Sequence, residues 1–161
     1  MKPEDISQLF PQEVMHFSLA VEDGEAAIVR MAQRLGQLGY VRDGYLQAVL
    51  TREANMPTGL PTENNFAVAV PHADPVHVER PVISFANLAA PVAFQNMEEP
   101  DQFLPVRVIF MLALDGQDHQ IGALQLVAKL LQNPAMLEDL ANVQTPEQVI
   151  ALLEQAAQME A

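Results

Sequence analysis

Cysteine is absent from the 161 residues, and with it go thiol nucleophiles, disulfides and cysteine-ligated zinc. Positive charge is scarce: 8 Lys and Arg stand against 21 Asp and Glu, a formal net charge of -13. Such a field repels phosphate backbones and no basic patch offsets it, so nucleic acid is not an expected partner. Beyond Lys129 there is no Lys or Arg, whereas Glu138, Asp139, Glu147, Glu154 and Glu160 all lie in that tail. The tail reads as a solvated acidic face, with steering of a basic partner as the alternative. A long hydrophobic run is missing at the start of the chain. Met1 to Phe10 is polar and carries Glu4 and Asp5, unlike a signal peptide or a membrane span, so a cytoplasmic location without direct membrane insertion is expected.

No internal repeat, Gly/Ser-rich linker or low-complexity block divides the chain, and its 12 prolines are scattered among the connections. One domain over 1–161 is expected, with its core at about 14–154. A strand is predicted over 14–21, after which Asp23 caps a helix whose Ile28, Met31, Leu35 and Leu38 form one apolar stripe and whose stop is Gly39. A second helix is predicted over 43–53, with Leu46, Val49 and Leu50 inward and Pro57 beyond its end. Strands are predicted at 66–70, at 106–114 and, more weakly, at 82–88. The run from Val106 to Leu114 is nearly continuously apolar, as a central strand covered on both faces requires. Three helices follow: one with a stripe of Ile121, Leu124, Val127, Ala128 and Leu131, one opened by Pro134, and one capped by Thr145. The class is α/β, a mixed central sheet sandwiched between helices.

The chemistry concentrates in Arg52-Glu53 through Leu60 and in Phe66 to Asp74. A strand that ends in Pro71-His72 presents its imidazole at the sheet edge, because proline stops ladder pairing just before the histidine. Ligand sites of open α/β sheets lie at such strand ends. Histidine suits phosphoryl carriage, since an ordinary pKa near 6.5 leaves a neutral ring nitrogen to attack. Phosphoryl transfer then needs charge stabilisation around three oxygens, for which a guanidinium is the fitting helper, and Arg52 is the candidate. Thr58, or backbone N–H groups of the Thr58-Gly59 turn, are candidate phosphate donors.

These residues resemble the enzyme IIA domains of the fructose and mannitol type in the bacterial phosphoenolpyruvate-dependent sugar phosphotransferase system. The match runs from about Val14 to Glu154. Its strongest element is Val68-Ala69-Val70-Pro71-His72, preceded at the usual distance by Arg52-Glu53 and Pro57-Thr58-Gly59. Pro-Thr-Gly, with Phe94 and Met97 before the long strand, places the chain nearest the galactitol-type branch. The resemblance implies that His72 accepts a phosphoryl group from phospho-HPr and delivers it to a IIB component for sugar or polyol uptake, with Arg52 holding the group. It implies that His119, at the start of the helix after the central strand, contacts the phosphoryl oxygens or orients the ring. Asn65 and Ala73 stand where many members place glycine, so left-handed backbone is expected at Asn65.

A regulatory module of the nitrogen type, whose phosphorylation state controls a partner protein, is the alternative function, and a paralogue that binds without accepting phosphate is a third. No cofactor is implied. A metal site built on His72, Asp74, His77 and His119 is not expected: there is no helical His-x-x-x-His pair, and Asp74-Pro75 reads as a turn. His16 and His77 read as structural or solvated. Glycine-rich phosphate cradles are absent, so the phosphoryl donor is expected to be a protein rather than a nucleotide.

Overall fold

The aliphatic run ending at Leu114 forms the middle of a five-stranded sheet in the computed structural model, which describes residues 1–159. Glu160 of the acidic tail lies outside them. Strands β1 (Met15–Leu19), β2 (Gly59–Leu60), β3 (Ala67–Ala69), β4 (Val82–Gln95) and β5 (Phe103–Ala113) lie in the order β1-β4-β5-β3-β2. The sheet is mixed: β1–β4 and β3–β5 are parallel, β4–β5 and β2–β3 antiparallel. Helices α2 (Gly24–Gln37) and α3 (Tyr45–Asn55) cover one face. The other face packs α1 (Pro3–Leu9), α4 (Gln117–Leu131), α5 (Pro134–Asn142) and α6 (Pro146–Gln158).

Along β5, Ile109, Met111 and Ala113 join the core under α2 and α3, while Val108, Phe110 and Leu112 join the opposite core. That period of two is what a strand buried on both faces shows. Val106 and Val108, two residues apart, nevertheless lie on opposite faces, because the register shifts there against both neighbouring strands. The side chain of Arg107, at the shift, donates to the carbonyls of Leu88 and Ala141.

Local signals place the helix ends. Asp23 accepts the Ala26 N–H at 2.8 Å to cap α2, and Gly39 takes φ +79° just past its end. Thr145 accepts the Gln148 N–H at the start of α6. Four expectations need correction. The stripe of α4 is rotated: Ala123, Leu126, Val127 and Leu130 face the sheet, leaving Ile121 55% and Leu124 40% exposed. This helix is apolar on more than one face, and the sequence spacing fits either stripe. Strand β4 runs on to Gln95 rather than stopping at Leu88; Pro91 is tolerated because it sits in the register shift between Asn87 and Val92, where no ladder donor is needed. Residues before the expected core are buried as well, Ile6 and Leu9 on the short helix α1 and Phe10 just past its end. Asn65 does not take left-handed backbone: among the described residues the only positive φ outside glycine is 49°, at Ser18.

Candidate functional site

Strand β3 delivers His72 to the C-terminal end of the sheet. Beyond Ala69 the chain continues extended, Pro71 carbonyl accepts the Leu112 N–H at 3.0 Å, and His72 makes a parallel bridge with Leu112 of β5. Leu112 is held from its other side too, since the buried Tyr45 hydroxyl donates to its carbonyl at 2.7 Å. Proline therefore removes one donor without ending the pairing, and the histidine backbone is anchored to the central strand.

The ring of His72 is half-buried, with Nδ1 2.7 Å from the Val70 carbonyl oxygen. A carbonyl only accepts, so in the neutral ring Nδ1 carries the hydrogen and Nε2 keeps a bare lone pair. Nε2 has no protein partner among the described residues and is not enclosed, in contrast to Nε2 of His16, which is buried without a partner. Burial lowers the pKa of His72 below 6.5; the bond to Val70 opposes this, Arg52 adds to it, and Asp74 opposes it.

Arg52 projects from the last turn of α3. Its Nη1 lies 3.9 Å from Oδ1 of Asp74, two residues after the histidine, and its Nε is buried with no partner among the described residues. Asp74 itself is 78% exposed, so this ion pair is loose and wet. The guanidinium has donors to spare beside an imidazole with a free nitrogen. In the sequence Asp74 stands out only as a metal-ligand candidate; its position two residues past the histidine is the signal for its pairing with Arg52.

Thr58 and Gly59 are differently employed from what the sequence suggested. The Thr58 N–H and hydroxyl donate to the two carboxylate oxygens of Glu53, at 2.8 and 2.7 Å, and the hydroxyl oxygen accepts the Val70 N–H at 3.2 Å. With the residue only 2% exposed, no donor is left for a phosphate. Gly59 is the close-approach residue of β2: a Cβ there would stand 2.5 Å from the Gln95 carbonyl oxygen. Both residues support the site from behind. Glu53, to which the sequence gave no task, is the anchor of that support; burial raises its pKa, while the Thr58 bonds and Arg52 pull it back.

His119 sits in the first turn of α4 with Nδ1 3.2 Å from Asp115 Oδ1, and it lines a hollow with Tyr40, Arg80 and Asp5. None of its hydrogen bonds or ion pairs reaches His72, Arg52 or Asp74. His77 packs against Gly44. Burial, with Arg30 and Arg34 nearby, lowers the pKa of His16. Among the described residues no helix is long and apolar enough to cross a membrane.

Residues 8–156 match the model of the family described as phosphoenolpyruvate-dependent sugar phosphotransferase system, EIIA 2. The chain is 27% identical over 118 residues to the galactitol-specific EIIA component of the phosphotransferase system of Escherichia coli K12, covering 73% of this chain and 77% of that one. It is 28% identical over 154 residues to the fructose-specific EIIA component of Haloferax volcanii, covering 92% and 94%. Among solved structures it is similar to that of the complex of enzyme IIAMTL and phosphorylated enzyme IIBMTL from Escherichia coli, with a TM-score of 0.71 and 26% identity over 89% of this chain and 95% of the matched one.

Proposed function

The chain belongs to the EIIA 2 family of the sugar phosphotransferase system, whose members are phosphotransferases that carry phosphoryl groups between proteins, and on that premise we propose that His72 is the carrier residue. The observation that supports this reading most is the hydrogen bond from His72 Nδ1 to the Val70 carbonyl at 2.7 Å, which leaves Nε2 as the nucleophile. In the proposed step, the Nε2 lone pair attacks phosphorus on the phosphohistidine of HPr. The bond from phosphorus to the donor nitrogen breaks, and the donor ring leaves with the electron pair. Donor nitrogen, phosphorus and Nε2 stand in line, so the three remaining oxygens spread outward and gather negative charge. Arg52 turns from Asp74 to those oxygens; its fork makes two bonds where a lysine makes one. The same chemistry in reverse order passes the group to a IIB component. The complex of enzyme IIAMTL with phosphorylated enzyme IIBMTL supports a partner of that kind.

Exposed Met56, at the end of the Arg52 helix, and exposed Val76, two residues after Asp74, give the partners an apolar rim to dock on in turn. The setting is the cytoplasm, and the purpose is uptake of a sugar or polyol; galactitol and fructose name the relatives' substrates, and the choice for this chain belongs to its membrane partner. Incubation with phosphoenolpyruvate, enzyme I and HPr tests the reading. One acid-labile phosphoryl group is expected by mass spectrometry on the native chain and none on His72→Ala; a label that survives the substitution overturns the assignment.

A further inference from the structure

Glu53 is half-buried beside the carrier site, yet the transfer gives it nothing to do. Its two oxygens accept both donors of Thr58, N–H to Oε2 at 2.8 Å and hydroxyl to Oε1 at 2.7 Å. A carboxylate only accepts, so the Thr58 hydroxyl hydrogen is committed to Glu53 and an oxygen lone pair is turned toward the Val70 N–H at 3.2 Å. Thr58 thereby finishes the β2–β3 ladder one residue beyond its last backbone pair, Gly59 with Ala69. Val70, fixed by its N–H, offers its carbonyl to His72 Nδ1 at 2.7 Å. Four residues form one directed chain from carboxylate to imidazole.

We infer that Glu53 is a positioning residue for His72: through Thr58 and Val70 it holds the imidazole in the tautomer and orientation that present Nε2 outward. The inference rests on His72 being the carrier. If the Val70 carbonyl turns away, the Nδ1 hydrogen loses its acceptor, the proton can sit on Nε2 instead, and the attacking lone pair is lost in that fraction of molecules. Glu53→Gln keeps the shape but not the polarity. The amide puts a donating NH2 where one accepting carboxylate oxygen stood, so one Thr58 donor loses its acceptor and the direction of the chain is no longer imposed. Thr58→Val removes the link, whereas Thr58→Ser retains it.

Two readouts test this on the 161-residue chain. Nitrogen-15 spectra of the His72 ring are expected to show hydrogen on Nδ1 in the native protein and Thr58→Ser, and a tautomer mixture in Glu53→Gln and Thr58→Val. Transfer from phospho-HPr is expected to lose about tenfold or more in kcat in the latter two, with KM unchanged, as for a nucleophile held slightly wrong. Thermal melts identify variants that fold; should Glu53→Gln not fold, the Thr58 pair carries the test. Folded variants with native tautomer and native kcat, or with a raised KM and unchanged kcat, overturn the inference. A tautomer that follows Glu53 in a protein that takes no phosphate on His72 leaves the positioning intact and sinks the carrier assignment instead.

Discussion

The Val70 carbonyl and Nδ1 of His72 stand 2.7 Å apart across a single proline, so the residue that shapes the end of the strand also determines which ring nitrogen is free. This contact and the burial of the ring oppose each other. The carbonyl favours the protonated imidazolium, but loss of hydration and the positive charge of Arg52 disfavour it, and the net shift is downward from 6.5.

The first prediction concerns pH. Because the attacking form is neutral, a lowered pKa keeps it populated further into the acid range. The rate of phosphoryl acceptance is expected to fall in acid along a profile whose midpoint lies below 6.5. The linkage sign follows: the unfolded chain takes the proton near 6.5 and the folded chain resists it, so this group costs stability as pH drops through that window. A rate profile with its midpoint at or above 6.5 contradicts the assignment.

Arg52 should matter to rate far more than to stability. Its ion pair, 3.9 Å to the exposed Asp74, is worth about 0–1 kcal/mol. Arg52→Ala is expected to slow phosphoryl acceptance about a hundredfold, the scale for removing one preorganised donor from developing charge. Arg52→Lys recovers part of this, since it keeps the charge without the fork. Melting temperatures close to native in both variants accompany the result; a large loss of stability would mean that Arg52 is structural.

His119 offers a contrast. Its ring pairs with Asp115 at 3.2 Å, and the hollow it lines contains Tyr40 and Arg80 rather than His72. His119→Ala is expected to leave the acceptance rate well above that of Arg52→Ala. Equal losses in the two variants would put both side chains on the phosphoryl group, as the family resemblance implied.

The meeting of His72 and Arg52 at one end of the sheet was legible because each is announced by local chemistry: Pro71 before His72 at a strand end, and a basic residue in the last turn of a helix. The support behind them was not. Glu53, Thr58 and Val70 meet only because β2 folds back on β3, and a two-residue strand leaves no periodic signal. The same limit explains α4, where two overlapping apolar stripes fit the spacing and the sheet selects one. It explains β4 as well, since Pro91 argues against a strand until the register shift that accommodates it is seen. Helix caps, by contrast, are short-range devices, and Asp23, Gly39 and Thr145 act where the sequence put them.

Gly59 tests the packing behind the site. A methyl group there meets the Gln95 carbonyl oxygen at 2.5 Å, a backbone atom that cannot move aside as a side chain would. Gly59→Ala is expected to destabilise the fold by about 1–3 kcal/mol, read from denaturant midpoints. An unchanged midpoint would show that β2 and the end of β4 can separate freely.

Asn87 carries the last prediction, away from the site. Its amide is buried, accepting the Ser18 N–H at 2.7 Å through Oδ1 and donating through Nδ2 to the carbonyls of Leu140 and Val143 at 3.0 and 2.9 Å. Ser18 is the residue with left-handed backbone, where β1 shifts register against β4, so one side chain joins that irregularity to the end of α5. Asn87→Ala strips partners from three backbone groups, two of them buried carbonyls, and is expected to lower stability by about 2–4 kcal/mol at any pH. Asn87→Asp does something different. An ionised carboxylate would face two carbonyl oxygens, so the folded state holds the acid protonated and raises its pKa above the unfolded value of about 3.9. Stability is then retained below that value and lost as pH rises through the folded pKa. Thermal melts at acid and neutral pH are expected to separate the variants: Asn87→Asp recovers toward native in acid once compared with the native protein at the same pH, and Asn87→Ala does not. Parallel behaviour of the two would mean that the amide donors to α5 contribute nothing.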